Sequence, residues 1–365
     1  MQPVSALVLS GGGANGAYEV GVLKALFGGK SPTTRGSPLH ASSIAATSIG
    51  TFNTAVLLSN YHRHSWDEAV AGLESVWLDR IAAPGVTSPN GVFRYRPNFL
   101  EWIDVAQFRL NPMQPARSLA SDASYIARDF VARMTGFVSG SAGLATRLSE
   151  LIDISTFVTP EPSAQLVRAV VNAQRMREST IQISVTATNW ANGTLRVFTN
   201  EDFTDAAATD IVRASGALPG IFPPVSIGGE LYVDGGVVLN TPLKPVIDSG
   251  CDELHVIYLD PEPGAVPLPK IASTIDTMGR YIVASFAATM RRDLEVAAKV
   301  NRRIREGKED AGHRPITIHL YHPNRNMGGA LGMLDFHRGR IEALVAAGYS
   351  DAVAHDCGKN GCLNV

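Results

Sequence analysis

Three consecutive glycines, Gly11 to Gly13, follow a short apolar segment near the start of the chain and constrain its fold more than any other feature. Residues 4–10 are apolar without alternation, which is typical of a buried parallel strand. Residues 17–27 predict a helix with an apolar face formed by Val20, Leu23 and Phe27. A strand, a glycine-rich turn and a helix in this order indicate an α/β fold.

Strand-like and helix-like segments continue to alternate along the chain. We predict strands at residues 43–47, 181–188, 195–199, 231–233, 254–259 and 315–322, and helices at 51–58, 271–306 and 341–353. Asn192-Gly193 is a strong hairpin signal between two of these strands. The pattern predicts a mostly parallel central sheet with helices on both faces.

The length of 365 residues allows two or three domains. We predict a main α/β core over residues 1–260, interrupted at 61–178 by a helix-rich, proline-containing insertion. Residues 261–365 are predicted to add helical and strand elements that pack on this core.

The composition excludes several classes of protein. The chain has 32 basic and 34 acidic residues, and this balance argues against a nucleic-acid partner. A hydrophobic content of 45% excludes a disordered chain, and three cysteines exclude a disulfide scaffold and fit a reducing compartment. No signal peptide or membrane span is recognisable, so we predict a cytoplasmic protein, at most peripheral to a membrane.

The glycine loop has more than one interpretation. Its spacing matches the dinucleotide-binding pattern G-x-G-x-x-G at Gly11, Gly13 and Gly16. That pattern requires an acidic residue about 20 positions further on, and none occurs between Glu19 and Asp67. An NAD(P)-binding oxidoreductase is therefore the second alternative. Backbone amides at the start of a helix can instead stabilise the oxyanion of an acyl-transfer reaction, and a turn without a ligand is disfavoured by three glycines in a row.

A candidate nucleophile and a candidate base occur further along. Ala46-Thr47-Ser48-Ile49-Gly50 differs by one residue from G-x-S-x-G, the nucleophile elbow of serine hydrolases. None of the nine histidines follows a strand in a glycine-flanked loop, and His255 and His319 lie in apolar strand patterns typical of a core. Asp234 precedes Gly235-Gly236 at a strand end, where burial would raise its pKa and make it a better base.

The order of these motifs resembles that of patatin-like phospholipases over residues 4 to about 260. The resemblance rests on the glycine loop, the Ser48 motif, the run 214–224 (ASGALPGIFPP), Asp234-Gly235-Gly236 and Asn240-Thr241-Pro242. It implies a patatin-like three-layer architecture whose catalytic core is residues 1–260, and a structural role for the run 214–224.

The resemblance also implies a function. The protein would be a serine acyl hydrolase that cleaves carboxylic ester bonds of lipids through a Ser-Asp dyad, with Ser48 as nucleophile and Asp234 as base. Gly11, Gly12 and Gly13 would supply the oxyanion hole, the substrate would be a lipid or phospholipid, and no cofactor would be needed. Two positions depart from the family pattern: Asn15 stands where the family usually has arginine or lysine, and Ala46 replaces the first glycine of the elbow. A catalytically inactive lipid-binding scaffold therefore stays open as an alternative.

Two further features receive weaker interpretations. An aromatic and basic stretch in the insertion, which includes Phe93 and Trp102, suits contact with anionic lipid, although a core role is the more common one for such residues. Near the C-terminus, His355, Cys357 and Cys362 are one ligand short of a four-ligand site. We predict no metal.

Overall fold

The computed structural model describes residues 4–61, 65–83, 90–95, 158–259, 274–308, 314–323 and 332–364, together with 113, 117, 119–128, 131 and 327–328. The strands are β1 Ser5–Leu9, β2 Ala41–Thr47, β3 Arg94–Tyr95, β4 Val158–Thr159, β5 Gln182–Asn189, β6 Leu195–Phe198, β7 Val225–Ile227, β8 Glu230–Asp234, β9 Glu253–Ile257 and β10 Thr317–Tyr321. The helices are α1 Gly16–Phe27, α2 Ile49–Asn60, α3 Trp66–Ser75, α4 Glu161–Val170, α5 Ala173–Arg177, α6 Ala208–Ser215, α7 Leu243–Asp248, α8 Thr274–Arg305 and α9 Arg338–Val353.

A single large sheet organises the molecule, in the order β10-β9-β1-β2-β5-β8-β7, with β6 paired to β5. The strands from β10 to β5 are parallel neighbours, whereas β6, β7 and β8 run antiparallel to their partners. The predicted α/β class with a mostly parallel sheet flanked by helices is confirmed. The predicted hairpin at Asn192-Gly193 is also present, with Gly193 in the left-handed region at φ 69°.

Strands β2 and β8 share one edge of β5 and meet end to end. Thr47, the last residue of β2, pairs with Thr186 of β5, and Asp234, the last residue of β8, pairs with the next residue, Ala187. Because β8 runs antiparallel to β5 and β2 runs parallel to it, the carboxyl ends of β2 and β8 point toward each other. The sheet register therefore brings the residues after Thr47 close to Asp234.

Helix α1 is buried on nearly all sides: all of its residues except Lys24 are buried. The sequence predicted a single apolar face at Val20, Leu23 and Phe27; the outer side is covered as well, since α9 packs against it. Two glycines permit the close approach: a Cβ at Gly21 would lie 2.0 Å from the carbonyl oxygen of Val345, and one at Gly348 would lie 2.0 Å from that of Tyr18.

Much of the predicted insertion at 61–178 lies outside the described residues. Its described parts include α3, the two-stranded pair β3–β4, α4 and α5. Beyond residue 260, β10 extends the central sheet itself. The division into a core and a C-terminal region stays a prediction. Among the described residues, no helix combines the length and apolar character needed to cross a bilayer.

Candidate active site

Ser48 occupies the sharp turn between β2 and α2. Its backbone has φ 55° and ψ −121°, a conformation that L-residues with a side chain rarely adopt. Such strain persists where the surrounding structure holds it, and a serine in this conformation is the hallmark of the nucleophile elbow. Ala46, which replaces the usual glycine, does not have a positive φ, so its Cβ is tolerated there.

Asp234 faces Ser48 across the junction of β2 and β8. Ser48 Oγ donates a hydrogen bond of 2.6 Å to Asp234 Oδ2, and the Gly236 amide donates one of 2.7 Å to Asp234 Oδ1. The Asp234 residue is only 3% exposed. Gly235 lets the end of β8 lie close to β5, because a Cβ at this position would be 2.3 Å from Thr186 Oγ1. Both oxygens of the carboxylate are thus fixed by donors.

Burial changes the acidity of this carboxyl group. Desolvation raises the pKa of Asp234 from 3.8 to about 6, while the hydrogen bonds from Ser48 and Gly236 partly oppose the change by stabilising the anion. A carboxylate with this pKa is ionised at neutral pH and is more basic than an exposed aspartate. It therefore fits the role of a proton acceptor.

Ser215, at the end of α6, supports the turn that holds Ser48. The Ser48 amide donates a hydrogen bond of 2.9 Å to Ser215 Oγ, and the hydroxyls of Ser215 and Thr51 lie 2.8 Å apart. Both contacts are buried or partly buried. The sequence assigned the run 214–224 to a structural role, but nothing in it distinguished Ser215 as a direct partner of the Ser48 backbone.

The glycine loop lies beside Ser48, because a Cβ placed on Gly11 would come within 3.0 Å of Ser48 Cβ. Gly11 is held by Asn240: its amide donates to the Asn240 carbonyl at 3.2 Å, and Asn240 Nδ2 donates to the Gly11 carbonyl at 3.3 Å. Within the described part of the chain, the amides of Gly12 and Gly13 have no acceptor. Two backbone donors are therefore left for another group.

Residues near the C-terminus brace the far side of this loop. The Ala14 amide donates a hydrogen bond of 2.8 Å to the Met333 carbonyl. Arg340 on α9 donates from Nη2 to Asn15 Oδ1 at 2.7 Å and to the Met327 carbonyl at 2.8 Å. Asn15, where the sequence departs from the family pattern, is buried and bonded to a guanidinium group from a distant part of the chain. No local sequence signal could have identified Arg340.

One cavity joins these groups. It contains about 1140 Å³ of space, counted with its open mouth, and all five residues predicted from the sequence line it: Gly11, Gly12, Gly13, Ser48 and Asp234. The rest of its lining is mainly apolar and comes from several elements, including Phe52, Val167, Leu218, Ile282, Phe286 and Phe336. No histidine is found among the described residues that line the cavity, and His255 and His319 are buried in β9 and β10 as predicted.

Comparison with known proteins shows the family of the chain. The family model of the patatin-like phospholipases matches residues 7–247, about two-thirds of the chain. The chain belongs to the patatin-like phospholipase family. Its glycine loop, Ser48 and Asp234 all lie inside the matched range. The predicted family is confirmed, and membership of a family of phospholipases disfavours the dinucleotide-binding interpretation of the glycine loop.

Individual relatives are more distant. The chain is 46% identical over 46 residues to lysophospholipase NTE1 of Cryptococcus neoformans var. neoformans, in each of two strains, and the match spans 13% of this chain and 3% of that protein. Among solved structures, VipD of Legionella pneumophila is 14% identical, with a TM-score of 0.36 over 97% of this chain and 67% of that one. ExoU of Pseudomonas aeruginosa, in complex with SpcU, is 15% identical, with a TM-score of 0.29 over 96% and 52%.

The predicted lipid-contacting stretch is only partly described. Phe93 is 4% exposed and packs its ring against those of Phe222 and Phe336, with centroids 6.3 and 6.0 Å away. Phe93 is therefore part of the cavity wall's packing and not of an exposed surface. Trp102 lies outside the described residues.

Proposed function

We propose that this protein hydrolyses carboxylic ester bonds of acyl lipids through a Ser48–Asp234 dyad. One observation carries the proposal: the 2.6 Å hydrogen bond from Ser48 Oγ to a buried carboxylate, made inside an apolar cavity. A serine is a weak nucleophile without a base within hydrogen-bond reach. Membership of the phospholipase family supports the same chemistry.

In the first half of the reaction, Ser48 Oγ attacks the ester carbonyl carbon while its proton passes to Asp234 Oδ2. The carbonyl oxygen becomes an oxyanion, and the C–O bond to the alcohol then breaks. The protonated Asp234 gives its proton to the departing alkoxide, which leaves as an alcohol. The acyl group is now an ester of Ser48.

In the second half, water attacks the acyl-enzyme. Asp234 accepts a proton from the water as the new bond to the carbonyl carbon forms. When the tetrahedral intermediate collapses, Ser48 Oγ leaves and recovers its proton from Asp234. The net reaction is ester plus water giving carboxylic acid plus alcohol, and the enzyme returns to its starting state.

Besides a nucleophile and a base, the reaction requires stabilisation of the oxyanion. We assign this role to the amides of Gly12 and Gly13. These donors have no acceptor among the described residues, whereas the Gly11 amide already donates to Asn240. Gly11 is then the anchored end of the loop, beside the nucleophile. Backbone donors that are fixed before the reaction stabilise developing charge without reorganisation.

The cavity favours an acyl chain over a polar acyl group. Its lining is mainly apolar, so burial of each methylene of a fatty acyl chain contributes about 0.8 kcal/mol to binding. The short match to a lysophospholipase agrees with a phospholipid substrate. We therefore propose mono- or diacyl phospholipids as the substrate class.

The proposal predicts release of free fatty acid from lysophosphatidylcholine, with a characteristic pH dependence. Because the pKa of Asp234 is raised to about 6 and only the ionised carboxylate accepts a proton, kcat/KM should rise with pH and level off above about 6. Below that value it should fall about tenfold for each further pH step of one. A soluble short-chain ester measured in parallel separates this profile from effects of pH on lipid aggregates.

Two outcomes would count against the dyad. A rise in kcat/KM centred near pH 4 would indicate an ordinary exposed carboxylate as base. No hydrolysis of either substrate at any pH, by a protein that still binds lysophospholipid, would favour the inactive scaffold.

Arg340 provides a second test of the site. We propose that it positions the glycine loop through Asn15, so Arg340→Ala should lower kcat on the short-chain ester by about 10- to 100-fold, the equivalent of losing a charge-assisted hydrogen bond. KM should change little, because Arg340 does not line the cavity. Steady-state kinetics at a temperature well below the Tm of the variant measures both constants.

Arg338→Ala is the matched control. Arg338 lies on the same helix and bonds Glu342 and the Leu78 carbonyl instead of the glycine loop. Equal losses of kcat in the two variants would show that α9 matters only for general stability.

A further inference from the structure

Four potential metal ligands converge at the edge of the central sheet, away from the Ser48 cavity. His319, His355, Cys357 and Cys362 each direct one ligand atom to a common point, and these atoms all lie within 4.8 Å of one another. Both histidines are buried, and both cysteines are half-buried free thiols. The sequence offered three of these residues, and the fold adds the fourth, His319, from β10.

The distances between these atoms fit a tetrahedral site. Cys357 Sγ lies 3.4 Å from His319 Nδ1 and 3.4 Å from His355 Nε2, and Cys362 Sγ lies 3.4 Å from His355 Nε2. In a tetrahedral zinc site, with Zn–S about 2.3 Å and Zn–N about 2.0–2.1 Å, the sulfur-to-nitrogen distance is about 3.6 Å. The ligand atoms are thus already close to the separation that such an ion requires.

The surroundings orient the ligands for metal binding. His319 Nε2 lies 3.5 Å from Glu253 Oε1, which leaves Nδ1, the atom next to the sulfur, free to coordinate. A carboxylate behind a histidine ligand is the usual way to fix the ring and its tautomer. The Leu320 amide also donates a hydrogen bond of 3.2 Å to Cys362 Sγ, which suits a sulfur that carries negative charge.

We propose that His319, His355, Cys357 and Cys362 bind a structural zinc ion. Two thiolates and two neutral imidazoles form one of the common four-ligand sets for zinc, and they balance the double positive charge. Four protein ligands leave no open position, so the ion is not expected to activate water. This inference does not depend on the proposed ester hydrolysis.

The ion would fasten the end of the chain to the sheet. Residues 354–364 follow α9 without regular structure, and their main tie to β10 is the backbone pair between Leu363 and Ile318. Zinc would cross-link this segment to His319 and so secure the C-terminal end of α9. The same helix covers α1 and carries Arg340.

The first test uses the unmodified chain without a histidine tag. Protein purified without added chelator should contain zinc in an amount equimolar with the chain, measured by elemental mass spectrometry. Cys357 and Cys362 should resist alkylation until a strong chelator is added, although both are half-buried rather than enclosed. Removal of zinc should lower the Tm.

Variants identify the ligands. Cys357→Ser and Cys362→Ser should each lose most of the zinc, while Cys251→Ser, the matched control at a buried cysteine outside the cluster, should keep it. Glu253→Gln should retain all four ligands but bind zinc about 10- to 100-fold more weakly, since it replaces the carboxylate behind His319 with a neutral amide. This last variant remains informative if a cysteine variant fails to fold.

Three results would overturn the proposal. The first is wild-type protein with little zinc and two readily alkylated thiols, and the second is a disulfide between Cys357 and Cys362. The third concerns the spectrum of the cobalt-substituted protein. If the proposal is right, this spectrum has the d–d bands of a tetrahedral site and a thiolate-to-cobalt charge-transfer band. A cobalt spectrum without the thiolate band would place the ion on the neighbouring sulfur-free group of Glu253, His255 and His319.

Discussion

Replacing Ser48 with alanine is expected to lower the turnover of a short-chain ester by about 10⁴-fold or more, because the variant has no nucleophile. The fold should be retained, since the change removes one oxygen atom and leaves the Ser215 hydroxyl as acceptor for the backbone amide of residue 48. Hydrolysis assays and the Tm of both proteins measure these two effects separately.

Covalent labelling makes this test specific. A fluorophosphonate should react with the wild-type protein at Ser48 and should not label Ser48→Ala. Ser42→Ala is a suitable control, because Ser42 is an exposed residue of the same strand β2. Among the described residues, its hydroxyl bonds the Ser5 carbonyl and the Cys251 sulfur and does not contact the site. Label on another residue, or wild-type turnover by Ser48→Ala, would contradict the assignment of the nucleophile.

Asp234→Asn is expected to reduce kcat/KM by about 10²- to 10⁴-fold or more, because an amide cannot accept the serine proton. The same variant should be more stable than the wild-type protein at neutral pH. The pKa of Asp234 is raised above its ordinary value by burial, so the wild-type protein loses stability as the pH rises from about 4 to about 6. At pH 7 the free energy of unfolding is lower by about 3 kcal/mol for this reason, and the neutral asparagine avoids this loss. Thermal denaturation at pH 7 should therefore give a higher Tm for the variant.

The pH dependence of this difference provides its control. Well below pH 4 the carboxyl group is protonated in both the folded and the unfolded chain, so the Tm advantage of Asp234→Asn should largely vanish there. Asp248→Asn changes an exposed aspartate on α7 that pairs with Lys244, and it should alter neither activity nor Tm appreciably. An active Asp234→Asn protein would require another base.

The residues that could be predicted from the sequence are those whose role depends on the local chain. The glycine loop, Ser48 before Gly50, and Asp234 before Gly235 are all written into short turns between a strand and the next element. The contacts of Ser215 with Ser48 and of Arg340 with Asn15 could not be found in this way, because each joins residues more than 100 positions apart. The run 214–224 that contains Ser215 is recognisable, but nothing in it points to the Ser48 amide. The fourth ligand, His319, was hidden for a related reason: in the sequence it is one more residue of a buried strand.

The burial of the outer side of α1 by α9 could not be predicted from the sequence either. A helix whose apolar residues Val20, Leu23 and Phe27 share one side predicts one buried face. The second face becomes apparent only when Gly21 and Gly348 bring α9 against it. Tertiary packing, and not helical periodicity, decided the burial of this helix.

The sheet order also bears on how this protein can be divided. Strand β1, which leads into the glycine loop, has β2 on one side and β9 on the other, and β9 and β10 follow residue 247, where the family match ends. A fragment that ended at residue 247 would turn β1 from a central strand into an edge strand with unpaired amides and carbonyls. Exposed apolar edges of this kind recruit other chains and lead to aggregation. We therefore expect the unit that folds without aggregation to extend beyond the matched segment and to include β9 and β10.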